Sequence, residues 1–488
     1  MKSFVVSATL LASALLARRA LAEGGYFAGV GGSEAAGRAG AFTAKADDLT
    51  AVTFNPAGLA KLGTTVIQIG NQVSYNSFAF TRAPTLDYGN QQNGTAPLVT
   101  FNKVRNQKPW QPLLPSLGVG SNLGLENWGF ALSAFAPSGV GAEQFPLNGG
   151  QRYMMLSRQE VLLTYAASAA WKHDDVFGIG ATVEWLYMPR FNYSLVIDGS
   201  TLNGANNPVS SALDMQATIK GSAPFTFNAI VGAWYRPTPS VELGLSGQVV
   251  PTSLVAKSTL DIQVLNPFDA NHTSNVMLTR NGDAANDVTV TLPLPLIARG
   301  GARYRHLEGG RERYDLELDV EYETWSRVKK FAIETRGLQG NYASQVVNIG
   351  HIDIQKNWRD SVAVKLGGDY VALPDRLTLR AGLVYVTAVA DAAYANVDAQ
   401  SAQMFGGAVG SSFFFGPWEL VVAYQLRYQP TFTVSEANAR VYQQVPGSPC
   451  VTDPSSCDAN YHSPVVNAGT YSASSQFVSV DALYRFGL

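Results

Sequence analysis

Between Tyr314 and Trp325 the chain alternates with a period of two. Asp315, Glu317, Asp319, Glu321 and Glu323 fall on one face, and Leu316, Leu318, Val320, Tyr322 and Thr324 on the other. Period two is the mark of a β-strand. Five carboxylates on one face limit where that strand can sit. They cannot face lipid, where each charge costs several kcal/mol. They cannot face a dry core unless they are paired. A wet lumen on one side and an apolar medium on the other satisfies both faces.

The same period recurs along the chain. In Thr64 to Phe80, Ile67, Ile69, Val73 and Tyr75 oppose Gln68, Gly70, Gln72, Ser74 and Asn76. Strands are expected at about 64–80, 112–122, 128–137, 158–172, 176–197, 223–236, 241–256, 287–305, 314–325, 360–371, 377–387, 405–414, 418–430 and 475–488. Long links alternate with tight ones such as 123–127, 173–175 and 415–417. Long outer loops and short periplasmic turns characterise outer-membrane barrels, and an even strand count brings both ends to the periplasm. The expected fold is all-β, a transmembrane antiparallel β-barrel of about 14 strands. Trp128, Trp171 and Trp418 fall on the expected lipid faces at the turn ends, where an aromatic girdle belongs. The last strand puts Val478, Val480, Ala482, Tyr484, Phe486 and Leu488 on one face.

Composition and address agree. Lys+Arg is 35 and Asp+Glu 37 over 488 residues, so the basic surface of a nucleic-acid binder is missing. Charged residues make up 15%, below the ~25% of soluble proteins. Lys2, the apolar run Phe4 to Ala17 and Ala20-Leu21-Ala22 read as a signal peptide over 1–22. Export together with the expected barrel places the protein in the outer membrane of a Gram-negative-type cell. Cys450 and Cys457 lie in a polar stretch of an exported chain, which favours a loop-stapling disulfide. A metal site would need more ligands than the neighbouring His462, so no metal is expected.

Two groups of residues carry candidate chemistry. Arg299, Arg303 and Arg305 sit on the strand preceding the acids and are expected to pair with them across the lumen wall. Lys365, Asp369, Arg380 and Arg427 are further expected lumen charges, and a base there could also meet a carboxylate head group. Second, Ala136-Pro137-Ser138-Gly139 should interrupt pairing, because proline lacks the N–H a ladder needs. Pro137, Ser138 and Gly139 either end the strand or open a lateral gap in the wall. Nucleophile motifs such as G-x-S-x-G and the zinc motif H-E-x-x-H are missing, so neither an enzyme nor a cofactor is expected.

One stretch fits no strand. Gly37 to Leu59 is rich in Gly and Ala, carries Asp47-Asp48 and ends in Asn55-Pro56-Ala57-Gly58-Leu59. It cannot bury a core of its own and must pack inside something else. Gly37-Arg38-Ala39-Gly40, Asp47-Asp48 and the Asn-Pro-Ala element resemble the N-terminal hatch of FadL/TodX-type outer-membrane transporters. Leu292-Pro293, Gly301-Ala302-Arg303-Tyr304, Trp325-Ser326, Asn357-Trp358-Arg359-Asp360 and Leu379-Arg380-Ala381-Gly382 follow in the family's order. The resemblance implies a monomer with a hatch over 23–61 inside a barrel over 62–488. It implies passive uptake of long-chain fatty acids or aromatic hydrocarbons, gated by the hatch around Asp47, Asp48, Asn55, Pro56, Ala57 and Gly58. Release is then lateral, near Pro137, into outer-membrane lipid. An adhesin or structural barrel and a polar-solute porin remain the alternatives.

Overall fold

The computed structural model describes residues 31–86, 97–136, 142–199, 214–265, 275–342, 345–350, 352–399, 401–444 and 465–487. The signal segment, Pro137, Ser138, Gly139, Cys450 and Cys457 lie outside the described residues.

Fourteen strands form the wall. They are β1 (Val66–Arg82), β2 (Trp110–Ser121), β3 (Trp128–Phe135), β4 (Ser157–His173), β5 (Phe177–Asp198), β6 (Asp214–Thr238) and β7 (Val241–Gln248). The second half comprises β8 (Ile297–Glu308), β9 (Arg311–Glu323), β10 (Ser361–Leu373), β11 (Leu377–Val386), β12 (Met404–Phe415), β13 (Trp418–Val434) and β14 (Gly469–Arg485). Each pairs antiparallel with the next. The last returns to the first, from Val66–Arg485 to Arg82–Gly469. Closure leaves no open edge, which is the condition for crossing a bilayer with strands.

The faces divide as the period demands. Leu316, Leu318, Val320 and Tyr322 are 43–52% exposed on the outside, whereas the five acids of β9 are 0–5% exposed. Trp128 and Trp418 are exposed at the turn ends, and Trp128 pairs in register with Trp171. Trp418 meets Tyr484 edge-on at 4.8 Å. Between β8 and β9, Gly309 and Gly310 both take positive φ (59° and 81°). A two-residue hairpin of that form favours glycine.

Two expected strands are split. The stretch read as 241–256 stops at Gln248 and resumes as Ser253–Val264. The stretch read as 287–305 forms Asp287–Pro293, then restarts at Ile297. Pro251 and Pro295 lie in the two breaks and have no N–H to give. The breaks lie side by side, and the Leu294 N–H donates to the Thr252 carbonyl at 3.0 Å.

The interior has two tiers. Towards the long links, Phe80, Tyr153, Met188, Trp325, Trp358 and Tyr471 belong to one apolar cluster. Trp325 and Trp358 meet edge-on at 5.1 Å. Towards the short turns lie a helical turn, Ser33–Gly37, a second, Ala51–Phe54, and a 3-10 turn, Pro56–Lys61. Phe42, Leu49, Val52, Phe54 and Leu59 of residues 31–62 pack with Ala131, Ala170, Val421 and Leu483 of the wall.

The segment lies so close to the wall that several inward positions hold only glycine. A Cβ on Gly180 would lie 2.6 Å from the Ala57 nitrogen, and one on Gly382 would lie 2.3 Å from the Arg38 carbonyl carbon. Both contacts are to backbone, which cannot swing aside. Gly180→Val and Gly382→Val are expected to weaken seating of residues 31–62 by ~1–3 kcal/mol, the usual overpacking cost. The barrel itself should still form. Protease sensitivity of the segment in detergent checks this; unchanged cleavage in both variants would contradict it.

Candidate functional site

The N-terminal segment has little regular structure, so many of its backbone groups need partners from elsewhere. The wall supplies them. Asp319 accepts from the N–H groups of Phe42 and Thr43, both at 2.8 Å, and Glu317 accepts from Ala44 at 2.6 Å. Asp481 of β14 accepts from the Ser33 N–H at 2.7 Å. Wall donors meet the carbonyls: Thr182 reaches Val52 at 2.9 Å, Ser246 reaches Phe54 at 2.5 Å and Trp234 Nε1 reaches Ala57 at 3.0 Å.

Charges lock the same surfaces. Arg38 is fully buried between β9 and β10. Its guanidinium meets Asp315 at 2.8 Å, Glu317 at 2.9 Å and Asp369 at 2.6 Å. Lys45 bridges Glu34 at 2.8 Å and Asp47 at 2.7 Å. Lys61 reaches Glu242 of β7 at 2.6 Å. Arg380 contacts Glu34 at 3.0 Å and Asp369 at 3.3 Å. Burial costs these charges their hydration, and dense pairing offsets that cost.

The expected wall pairs form only in part. Arg299 meets Glu321, and Lys365 joins the same carboxylate at 2.8 Å. Arg303 meets Asp315 and Glu312, each at 2.5 Å, and Glu242 at 3.1 Å. Arg305 lies opposite Asp315 in register but pairs with Glu312 at 2.6 Å. Glu323 accepts from Trp325 Nε1 at 2.5 Å. Glu317 and Asp319 thus serve the segment rather than an arginine of the adjacent strand. Inward alternation of charges is visible in sequence; the choice of partner is not.

Asn55 caps the 3-10 turn, with Pro56 at its first position. Its Oδ1 accepts from the Ala57 N–H at 3.2 Å, and its Nδ2 donates to the carbonyls of Thr43 and Ala233, both at 2.9 Å. One side chain thereby ties the segment to itself and to β6. A Cβ on Gly58 would fall 1.8 Å from the Ala46 carbonyl oxygen, so this position admits glycine alone. Asp47 and Asp48 differ. Asp47 pairs with Lys45, whereas Asp48 is buried and accepts from the Thr50 N–H and hydroxyl at 2.8 and 2.5 Å. Burial, with Glu34 nearby, pushes the Asp48 carboxyl up to about 8.

A cavity of about 140 Å³ lies above the segment. Thr53 and Phe54 of the segment border it. Phe135, Thr164, Glu184, Leu186, Asn228, Ile230 and Ile297 of the wall border it as well, together with Arg299, Lys365 and Arg427. Of these, the sequence reading named only the three bases. An isolated Thr, Glu or Asn at an inward position carries no signal beyond its parity. Among the described residues no group of three or more His, Cys, Asp or Glu is arranged to hold a metal ion.

Two expectations follow. Arg38→Met removes the cation shared by three acids and should cost about 3–5 kcal/mol of segment seating. The readout is conductance in planar bilayers, where the variant should pass steady current that the parent protein does not; equal currents would contradict the clamp. The second concerns pH. Asp48 has a raised pKa when seated, so the seated state holds a proton that the released segment gives up above about 4. Its contribution is full below that pH and is lost as pH rises through about 8. The segment should be more protease-sensitive at pH 9 than at pH 5, and Asp48→Asn should flatten that difference.

Comparison with known proteins adds the family context. The family model for the outer membrane protein transport protein (OMPP1/FadL/TodX) matches residues 13–445. No curated protein matches the sequence. Among solved structures, the chain resembles a Pseudomonas aeruginosa FadL homologue with a TM-score of 0.72 at 15% identity, covering 95% of this chain and 100% of the other. It resembles the Ralstonia pickettii toluene transporter TbuX at 0.58 and 15%, covering 93% and 98%. It resembles the P. putida toluene transporter TodX at 0.59 and 14%, covering 90% and 94%. At these identities the likeness establishes a common fold.

Proposed function

Because the chain belongs to the OMPP1/FadL/TodX family of outer membrane transport proteins, we propose that it takes up hydrophobic molecules by passive diffusion through a lumen gated by its N-terminal segment. In this reading 1–22 is removed on export, 23–61 is the hatch and 62–488 the barrel. Long-chain fatty acids and aromatic hydrocarbons are the two substrate classes to weigh. Two of the similar structures are described as toluene transporters, and a third, CymD, as a monoaromatic hydrocarbon channel.

The observation that carries the proposal is the position of the cavity. Its floor is Phe54 of the segment, and its apolar wall is Leu186, Ile230 and Ile297. A shift of the segment must therefore reshape the site. An apolar solute gains nothing by entering a water-filled pore, so the apolar side of this pocket suits it better. Phe135 borders the same cavity at the end of β3, two residues before Pro137. That supports a lateral exit at Pro137, Ser138 and Gly139 into membrane lipid. The wall closes within one chain and needs no second copy to complete it, in keeping with the proposed monomer. A polar-solute porin fits less well, because Arg38 and Phe42 are fully buried across the lumen.

Purified protein should bind a labelled hydrocarbon or fatty acid saturably; no saturable binding across a broad hydrophobic panel would sink the proposal. Replacing Asn55-Pro56-Ala57 with Gly-Ser-Gly removes the cap and both links to Thr43 and Ala233. Uptake by whole cells should fall several-fold while the barrel stays assembled, as judged by heat-modifiable migration. Parent-level uptake in a folded variant would refute the gating role.

A further inference from the structure

The polar half of the cavity is not used by the reading above. Asn228 and Glu184 face each other across β5 and β6, and Asn228 Nδ2 donates to Glu184 Oε2 at 2.6 Å. With Nδ2 committed to that bond, the other end of the amide is its oxygen. Asn228 Oδ1 is left to accept. Among the described residues it finds no hydrogen-bond partner, and neither does Thr164 Oγ1. Both residues are almost wholly buried, Thr164 at 1% and Asn228 at 3% exposure, and both line the cavity. Buried polar atoms left unpaired are costly, and a ligand that pairs them gains by that amount.

Size and charge narrow the ligand. A cavity near 150 Å³ accepts one benzene ring, so about 140 Å³ has room for a single ring. Phe54, Leu186 and Ile230 give that ring apolar contact. Glu184 at the polar end, with Glu321 and Glu323 elsewhere in the lining, disfavours a carboxylate. Two bordering bases, Arg299 and Lys365, both meet Glu321, and the Arg427 guanidinium lies over the Phe477 ring at 5.6 Å.

We propose that this cavity selects compact, uncharged rings bearing a hydroxyl group, the phenol class, over plain hydrocarbons and over carboxylates. The ligand O–H donates to Asn228 Oδ1. Thr164, on β4 and two strands round the wall from Asn228, offers its hydroxyl to a second polar substituent where one exists. The inference rests on the uptake reading and specifies its substrate class. A site with buried polar groups rejects the analogue that leaves them unpaired.

The test is calorimetric titration of the full barrel in detergent with phenol, toluene, benzoate and palmitate. Phenol should bind at least about tenfold tighter than toluene and than benzoate. In Thr164→Val and Asn228→Leu the phenol-to-toluene preference should shrink, most in the second. Equal affinity for phenol and toluene in the parent protein would overturn the inference, whatever the variants do. So would tightest binding of benzoate or palmitate, and either result would leave hydrophobic uptake standing. Failure of all four probes to bind would overturn the uptake reading with it.

Discussion

The structure depends on wall carboxylates acting as hydrogen-bond acceptors for a segment that lacks secondary structure of its own. Residues 31–62 hold only short helical turns. Their remaining N–H and C=O groups would be stranded inside a membrane-spanning tube, where water is scarce. Asp319, Glu317 and Asp481 take the N–H groups, and Thr182, Ser246 and Trp234 take the carbonyls. The barrel does for the segment what a helix does for itself.

Arg38 makes that arrangement electrostatically possible. Without it, Asp315, Glu317 and Asp369 would crowd like charges in a site with no bulk solvent. With it, three carboxylates share one guanidinium that presents its donors in a fixed fork. A buried network of this kind gives little net stability compared with an apolar replacement. What it supplies is a dry, specific contact. Releasing the segment would require rewetting those charges, which suits the proposed gate.

Much of the fold was legible in the sequence because a barrel in lipid obeys a rigid rule: every second residue faces hydrocarbon. That rule made the outward run Leu316, Leu318, Val320, Tyr322 and the inward run Asp315 to Glu323 visible as one pattern. It also put Trp128, Trp171 and Trp418 at one rim. The breaks at Pro251 and Pro295 are not visible in the period, because a proline beside an apolar residue does not disturb the alternation. The inward glycines Gly180 and Gly382 were missed for another reason. Glycine is neutral in a parity count, and its value lies in what approaches it from across the lumen.

The candidate site divides the same way. The sequence by itself determined a fourteen-strand alternation, an inward acidic face and a small-residue segment with nowhere to fold except inside. Those are consequences of local period and of the cost of charge in lipid. Only the tertiary structure decided that Arg38 sits among Asp315, Glu317 and Asp369, and that Arg305 turns to Glu312 instead of its register partner. It alone brought Thr164, Glu184 and Asn228 to one cavity with Phe54. These groupings join residues tens to hundreds of positions apart, and closure of the barrel sets which inward side chains meet. A period along one strand records which way a residue points but not what it finds there.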